Sequence, residues 1–119
     1  MSLVAEQAAF LLDYCKLVQF ATEQGFQVTA GELQRPVEMQ EIYVRTGRSK
    51  TMNSWHIRRL AGDLNFVKDG VLCYDYDSLE PIGRYWESLN PKNRWGGNFD
   101  KDWDPLTGFK DLPHFERRV

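Results

Sequence analysis

The sequence predicts an α+β protein in which a small antiparallel sheet is flanked by helices. Three observations carry this. Val4, Ala8, Leu11, Cys15 and Val18 recur at three- and four-residue spacing, as on one face of an N-terminal helix. From Ala61 the period changes to two: Ala61, Asp63 and Asn65 alternate with Gly62, Leu64 and Phe66, as in a strand with two unlike faces. Asp69-Gly70 then separates this run from Val71-Leu72-Cys73-Tyr74, a strong signal for a tight hairpin.

In chain order, the first helix runs from Leu3 to about Thr22, with Gly25 as its stop. Gln27 to Ala30 reads as a short strand followed by a turn at Gly31. Pro36 suits the first turn of a second helix that continues through Tyr43 to Gly47. Residues 47–53 are polar and glycine-punctuated, as in a loop. Beyond the hairpin, Asp77 or Ser78 can cap a third helix over roughly Leu79 to Leu89, with Pro81 tolerated near its start. From Asn90-Pro91 to Pro113 the chain is rich in Gly, Trp, Asn and Asp and reads as a long functional loop. His114 to Arg117 forms a closing strand.

With 119 residues, 42% of them hydrophobic, the chain suits one compact domain, 1–119, with a core that needs no staples. A formal charge of -2 argues against a nucleic-acid partner. Cys15 and Cys73 are far apart among apolar neighbours and read as buried free thiols. No Lys or Arg precedes Lys16, so the basic start of a signal peptide is missing. Ala8 to Leu12 is too short an apolar run to cross a bilayer. The expectation is synthesis in the cytoplasm, no membrane insertion and, for a target outside, release by another agent.

Only two histidines occur, and each has candidate partners nearby. A catalytic zinc takes three protein ligands from His and carboxylate and keeps a fourth position for water. His56, Asp63 and His114 supply such a set, and Asp111, three residues before His114, can serve as general base toward the attacking water. Spacing alone does not establish this. A lone histidine is more often structural than a ligand, His-x6-Asp is a weak pattern, and no HExxH signature occurs.

The ordered motifs say more. Ser54-x-His56-x4-Ala61-x-Asp63, followed by Asp111-x-Pro113-His114-Phe115-Glu116, resembles the zinc peptidases that include D-Ala-D-Ala carboxypeptidases and phage L-alanyl-D-glutamate endolysins. Upstream, Arg35-Pro36-x3-Gln40-x2-Tyr43-x3-Gly47-Arg48-Ser49 is similar to the same family's arginine, Gln, Tyr and Gly-(Arg/Lys) segment. Trp95-Gly96-Gly97-Asn98-Phe99 is similar to its Trp-Gly-Gly stretch. The resemblance spans roughly residues 35 to 116. It implies the Hedgehog/D-Ala-D-Ala-peptidase-like fold and a Zn2+ held by His56, Asp63 and His114, with Asp111 as catalytic base. It also makes Arg35 the cation that binds the substrate carbonyl and stabilises the oxyanion, a role suited to a fixed guanidinium charge. Ser54 supports the site by hydrogen bonding, and Trp95, with Trp55 and Trp103, lines a substrate groove; Trp86 is core. The chain departs from the family at Arg59, where glycine is usual, and at Gly62, where Val is common.

The implied activity is cleavage of a peptidoglycan stem peptide by a monomeric enzyme. Asp rather than Glu as base, and the Pro-His-Phe context, resemble the endolysin branch, which cuts the L-Ala–D-Glu bond after holin-type release. The alternatives are a D-Ala-D-Ala carboxypeptidase of the same mechanism and a non-catalytic wall-binding module on the same fold. Arg45, Arg48, Lys50, Arg58 and Arg59 form a basic run that reads either as a positive patch beside the cleft or as a solvated loop. Asp100, Asp102 and Asp104 lack the spacing of a calcium loop and read as loop acids.

Overall fold

The computed structural model describes residues 2–34, 36–48 and 54–119. Helix α1 (Leu3–Glu23) starts at Ser2, whose hydroxyl accepts from the Ala5 N–H. Strand β1 (Gln27–Ala30) and helix α2 (Val37–Arg45) follow. The hairpin comprises β2 (Ala61–Lys68) and β3 (Val71–Cys73), and helix α3 covers Tyr76–Leu89. Strand β4 (Asn93–Trp95), a single 3-10 turn (Gly96–Asn98) and β5 (His114–Arg117) complete the chain.

Every pairing in the sheet is antiparallel, and β2 is its centre. One edge of β2 pairs with β1, Val28 opposite Phe66 and Ala30 opposite Leu64. The other edge is shared: Ala61, Gly62 and Asp63 pair with β5, and Phe66 to Lys68 pair with β3. Beyond β5 lies β4, with Trp95 opposite Phe115. The alternation along β2 is that of the sequence: Gly62, Leu64 and Phe66 are buried on the core face, while Asp63 and Asn65 are half-buried on the other.

Two helices cover the core face. Phe10, Tyr14, Leu17 and Ala21 of α1 meet Leu79, Ile82 and Trp86 of α3, with Leu64, Phe66, Trp95 and Phe115 beneath them. Trp86 is a core residue, and its indole N–H donates to the Glu116 carbonyl at 3.1 Å. By area, an aromatic or leucine side chain buried this completely contributes roughly 1.5–3 kcal/mol.

Four expectations are corrected. The buried face of α1 is not the apolar stripe through Val4, Ala8, Leu11 and Cys15, all of which are exposed, Val4 by 73%. The face that docks carries Glu6, Phe10, Asp13, Tyr14, Leu17 and Ala21. Ion pairing decides this orientation. The buried guanidinium of Arg117 in β5 binds the Asp13 carboxylate and lies 3.9 Å from Glu6, and Asn93 accepts from its Nε at 3.0 Å. A charge taken out of water is costly unless paired, so Glu6 and Asp13 must face the sheet. A shift of two residues turns a helix by roughly 200°, which carries the apolar stripe to the outside. The cysteines are free, but Cys15 is exposed and Cys73 half-buried.

Helix α3 begins three residues earlier than Leu79, because Asp75 rather than Asp77 or Ser78 caps it, accepting from the Ser78 N–H at 3.0 Å. The stretch read as one long loop contains β4 and the 3-10 turn, whose residues 93–98 are all buried. Three residues are too few to show an alternation, which is why β4 left no trace in the sequence. Residues 49–53 of the expected loop at 47–53 lie outside the described residues.

Candidate metal centre

Asp63 and His114 are direct cross-strand partners in the β2–β5 ladder. Neighbouring strands place such side chains on one face within contact range. His56 arrives from the turn that precedes β2. There the Ser54 hydroxyl accepts from the His56 N–H at 3.2 Å, and Leu60 N–H closes the turn on the Trp55 carbonyl at 2.9 Å. From α1, Gln7 Nε2 donates to the Arg58 carbonyl at 2.7 Å and ties the turn down.

Three ligand atoms converge. His56 Nε2 lies 3.1 Å from His114 Nδ1 and 3.2 Å from Asp63 Oδ1, and His114 Nδ1 lies 3.3 Å from the same oxygen. Atoms bound about 2.0–2.1 Å from a tetrahedral ion stand roughly 3.3–3.4 Å apart, so the triangle has the size a single small cation needs. Asp63 Oδ1 is buried yet makes no well-directed hydrogen bond to the described residues. An orphaned buried carboxylate oxygen facing two imidazole nitrogens is a poor arrangement for a protein alone and a good one around a cation. The three residues therefore fit a metal.

Electrostatics agree. Burial pushes the Asp63 carboxyl up, but the His114 and His56 imidazoles beside it outweigh burial and hold it well below the usual carboxylate range. Burial pushes the His114 imidazolium down, but contacts with Asp63 and Glu116 overcome this and leave its pKa raised to about 9. Glu116 is likewise held low: burial raises it, and His114 and Arg118 more than compensate.

Asp111 stands at the start of the turn that leads into β5. Its carbonyl accepts from the His114 N–H at 3.0 Å, and its own N–H donates to the Gly96 carbonyl at 2.9 Å. Gly96 is needed for this approach, since a Cβ there would collide with the Asp111 carbonyl. The Trp-Gly-Gly stretch thus fixes the backbone of Asp111. Trp95 is not a groove residue, which corrects that expectation. Its ring is 0% exposed and lies against Gly83 and Gly97, where no Cβ intrudes, and its indole N–H donates to the Leu112 carbonyl at 2.8 Å. It fastens the Asp111–His114 turn from below. Trp55 and Trp103 are half-buried, and the Arg84 guanidinium lies 4.1 Å over the Trp103 ring. Arg35 lies outside the described residues.

Three supporting residues escaped the sequence reading. Glu87 of α3 binds Arg94, the Trp95 N–H and the Asn98 amide together, so it organises β4 and the 3-10 turn. Tyr14 of α1 donates to the Asp63 carbonyl at 3.0 Å. Its ring lies across Gly62, where a Cβ would approach it to 2.5 Å. Gly62 is therefore matched by Tyr14, whose ring fills the space that a side chain at this position would take. No local pattern announces either residue. Glu116 did have a signal: two residues beyond His114 on a strand, it shares that histidine's face.

The other departure has a backbone consequence. Arg59 adopts φ 59°, the left-handed region that glycine enters freely and other residues at a cost.

An antiparallel sheet covered by helices on one face is a fold seen in a known peptidase. The crystal structure of Serratia marcescens L-Ala D-Glu endopeptidase ChiX is similar over 88% of this chain and 77% of that one, with TM-score 0.64 and 25% sequence identity. No family model and no curated protein matches the chain. Among the described residues, no helix is long and apolar enough to cross a membrane.

Proposed function

We propose that this protein is a zinc-dependent peptidoglycan peptidase of the endolysin type that cuts the L-Ala–D-Glu bond of the stem peptide. The observation that carries the reading is the triangle of His56 Nε2, Asp63 Oδ1 and His114 Nδ1, with sides of 3.1 to 3.3 Å, on a fold similar to that of an L-Ala D-Glu endopeptidase. Zinc bound there supplies a Lewis acid that polarises the scissile carbonyl and makes water nucleophilic near neutral pH.

The chain's own residues do the rest. Asp111, carried on the turn into β5, takes the proton from the attacking water and delivers it to the leaving amine. Arg35 binds the substrate carbonyl and offsets the charge that develops on its oxygen. Ser54 acts through the His56 N–H by shaping the turn. The enzyme works as a monomeric single domain and reaches the wall by holin-type release.

Incubation of the zinc-loaded protein with purified cell walls, followed by mass spectrometry of released termini, tests this. New D-Glu amino termini, lost with a chelator and reduced about 10²–10⁴-fold in rate by Asp111→Ala, are the expected result. Free D-Ala in their place would make the enzyme a carboxypeptidase. Release of neither, with wild type and Asp111→Ala alike, would leave a wall-binding module.

A further inference from the structure

We infer that Glu116 is a positioning residue that fixes which nitrogen His114 presents to the metal, an inference that rests on the metal reading above. His114 Nε2 meets Glu116 Oε1 at 2.6 Å on the side of the ring away from the ligand triangle. The carboxylate is only 4% exposed and is itself anchored, since its second oxygen accepts from Arg118 Nε at 2.5 Å. Its backbone is also fixed. Glu116 lies between Ala61 of β2 and Arg94 of β4 in the sheet, and its carbonyl accepts from the Trp86 indole.

A carboxylate held this way accepts and never donates, so it demands the proton on Nε2. The lone pair of the neutral ring is then on Nδ1, the nitrogen that faces Asp63 and His56. A ring flip would point the protonated nitrogen at the cation and an acceptor at the carboxylate. Glu116 therefore fixes the rotamer of His114 and, once the ring gives up its second proton, the tautomer that presents Nδ1. His56 presents the opposite nitrogen, Nε2, and its Nδ1 has no hydrogen-bond partner among the described residues. The two histidines thus enter the site by different atoms, and for one of them a buried acid enforces the choice. Outer partners of this kind typically contribute 10–100-fold to metal affinity.

The test combines zinc affinity, by competition with a chromophoric chelator, with imidazole ¹⁵N NMR of the zinc-loaded wild type. In the wild type, His114 should show a metal-bound Nδ1 and a protonated Nε2. Glu116→Ala should bind zinc about 10–100-fold more weakly and alter the absorption spectrum of the cobalt-substituted protein. Glu116→Gln keeps an acceptor oxygen and should stay within a few-fold of wild type with an unchanged spectrum. Zinc bound through His114 Nε2, or a folded Glu116→Ala with wild-type affinity and spectrum, would overturn the inference while leaving the metal reading intact. A wild type that binds no zinc would overturn both.

Discussion

His114 and His56 each present one ring nitrogen to the same point, but the chain holds them by different means. His114 stands on β5 between two paired strands, next to Asp63, with its far nitrogen on Glu116. His56 stands in a turn closed by a few backbone hydrogen bonds and tied to α1 by Gln7, with no partner for its Nδ1 among the described residues and with Arg59 in a left-handed conformation three residues on. Asp63 and His114 therefore come off the sheet in fixed register, and His56 is brought in by a turn that no paired strand holds. Local opening costs least where few hydrogen bonds and contacts must break. The sheet builds a half-site, and the turn completes it.

The largest test of this contrast removes each histidine in the metal-free protein. His114→Ala leaves the buried Glu116 carboxylate with Arg118 alone and the half-buried Asp63 carboxylate with His56 alone, and breaking a buried charge pair costs about 3–5 kcal/mol. His56→Ala empties a buried site and removes one contact of Asp63, so the loss should be smaller, about 2–3 kcal/mol, mainly from the cavity. Chelator-treated proteins unfolded in urea would show the difference. Equal losses would break the comparison, while both variants should fail to retain zinc.

A pH series sharpens the same point through His114. In the metal-free protein its pKa of about 9 exceeds the ordinary 6.5, so its contribution is complete below 6.5 and is lost as pH rises through 9. Asp63 and Glu116 are held low, so their contributions are present above the usual carboxylate range and disappear as pH falls further. Metal-free protein should melt highest in mildly acidic buffer and progressively lower toward pH 9. Zinc should reverse that upper limb, because the metal must displace the His114 proton and binds more tightly as pH rises. Parallel melting curves with and without zinc would count against the cluster as drawn.

Much of the half-site was legible in the sequence. The alternation from Ala61 to Phe66 placed Asp63 on the polar face of β2, and the closing strand at His114 was visible as a short run. What could not be read was how helices meet the sheet. The apolar stripe of α1 pointed one way, and the buried Arg117 turned the helix the other, because ion pairing between α1 and β5 is a long-range contact with no local period. Trp95 misled for a related reason. Its aromatic character suits a groove or a core equally, and Gly83, twelve residues away on α3, together with Gly97 makes room for its ring. The motif order singled out His56, Asp63 and His114, which the fold brings together, and their packing partners stayed hidden until the chain was folded.

Gly62 tests the sheet side at intermediate size. Tyr14 occupies the space above it and donates to the Asp63 carbonyl, so Gly62→Val forces a ring out of a filled core. Overpacking of this kind costs about 1–3 kcal/mol. Combining Gly62→Val with Tyr14→Ala should recover part of that loss, because the valine then takes the room the ring gave up. A double-mutant cycle read by denaturation measures the coupling. Strictly additive losses would mean that Tyr14 and Gly62 do not share that space.

The smallest expected effect lies in the turn. Arg59 at φ 59° pays a conformational cost of about 1 kcal/mol that glycine avoids. Arg59→Gly also frees the unfolded chain, which works against the gain, so the net change should be a modest stabilisation of at most about 1 kcal/mol. Its value lies in where it acts. A turn that closes without strain should hold His56 in the ligand triangle more of the time, so zinc affinity should rise by a few-fold, or roughly RT ln of that ratio in free energy. The half-site on the sheet should be untouched, with the His114 imidazole ¹⁵N shifts unchanged. Calorimetric melting and chelator competition, run on the same preparation, separate the two effects. A gain in melting temperature with no gain in affinity would show that the turn is already closed in the metal-free protein, and that His56 is as well placed as His114.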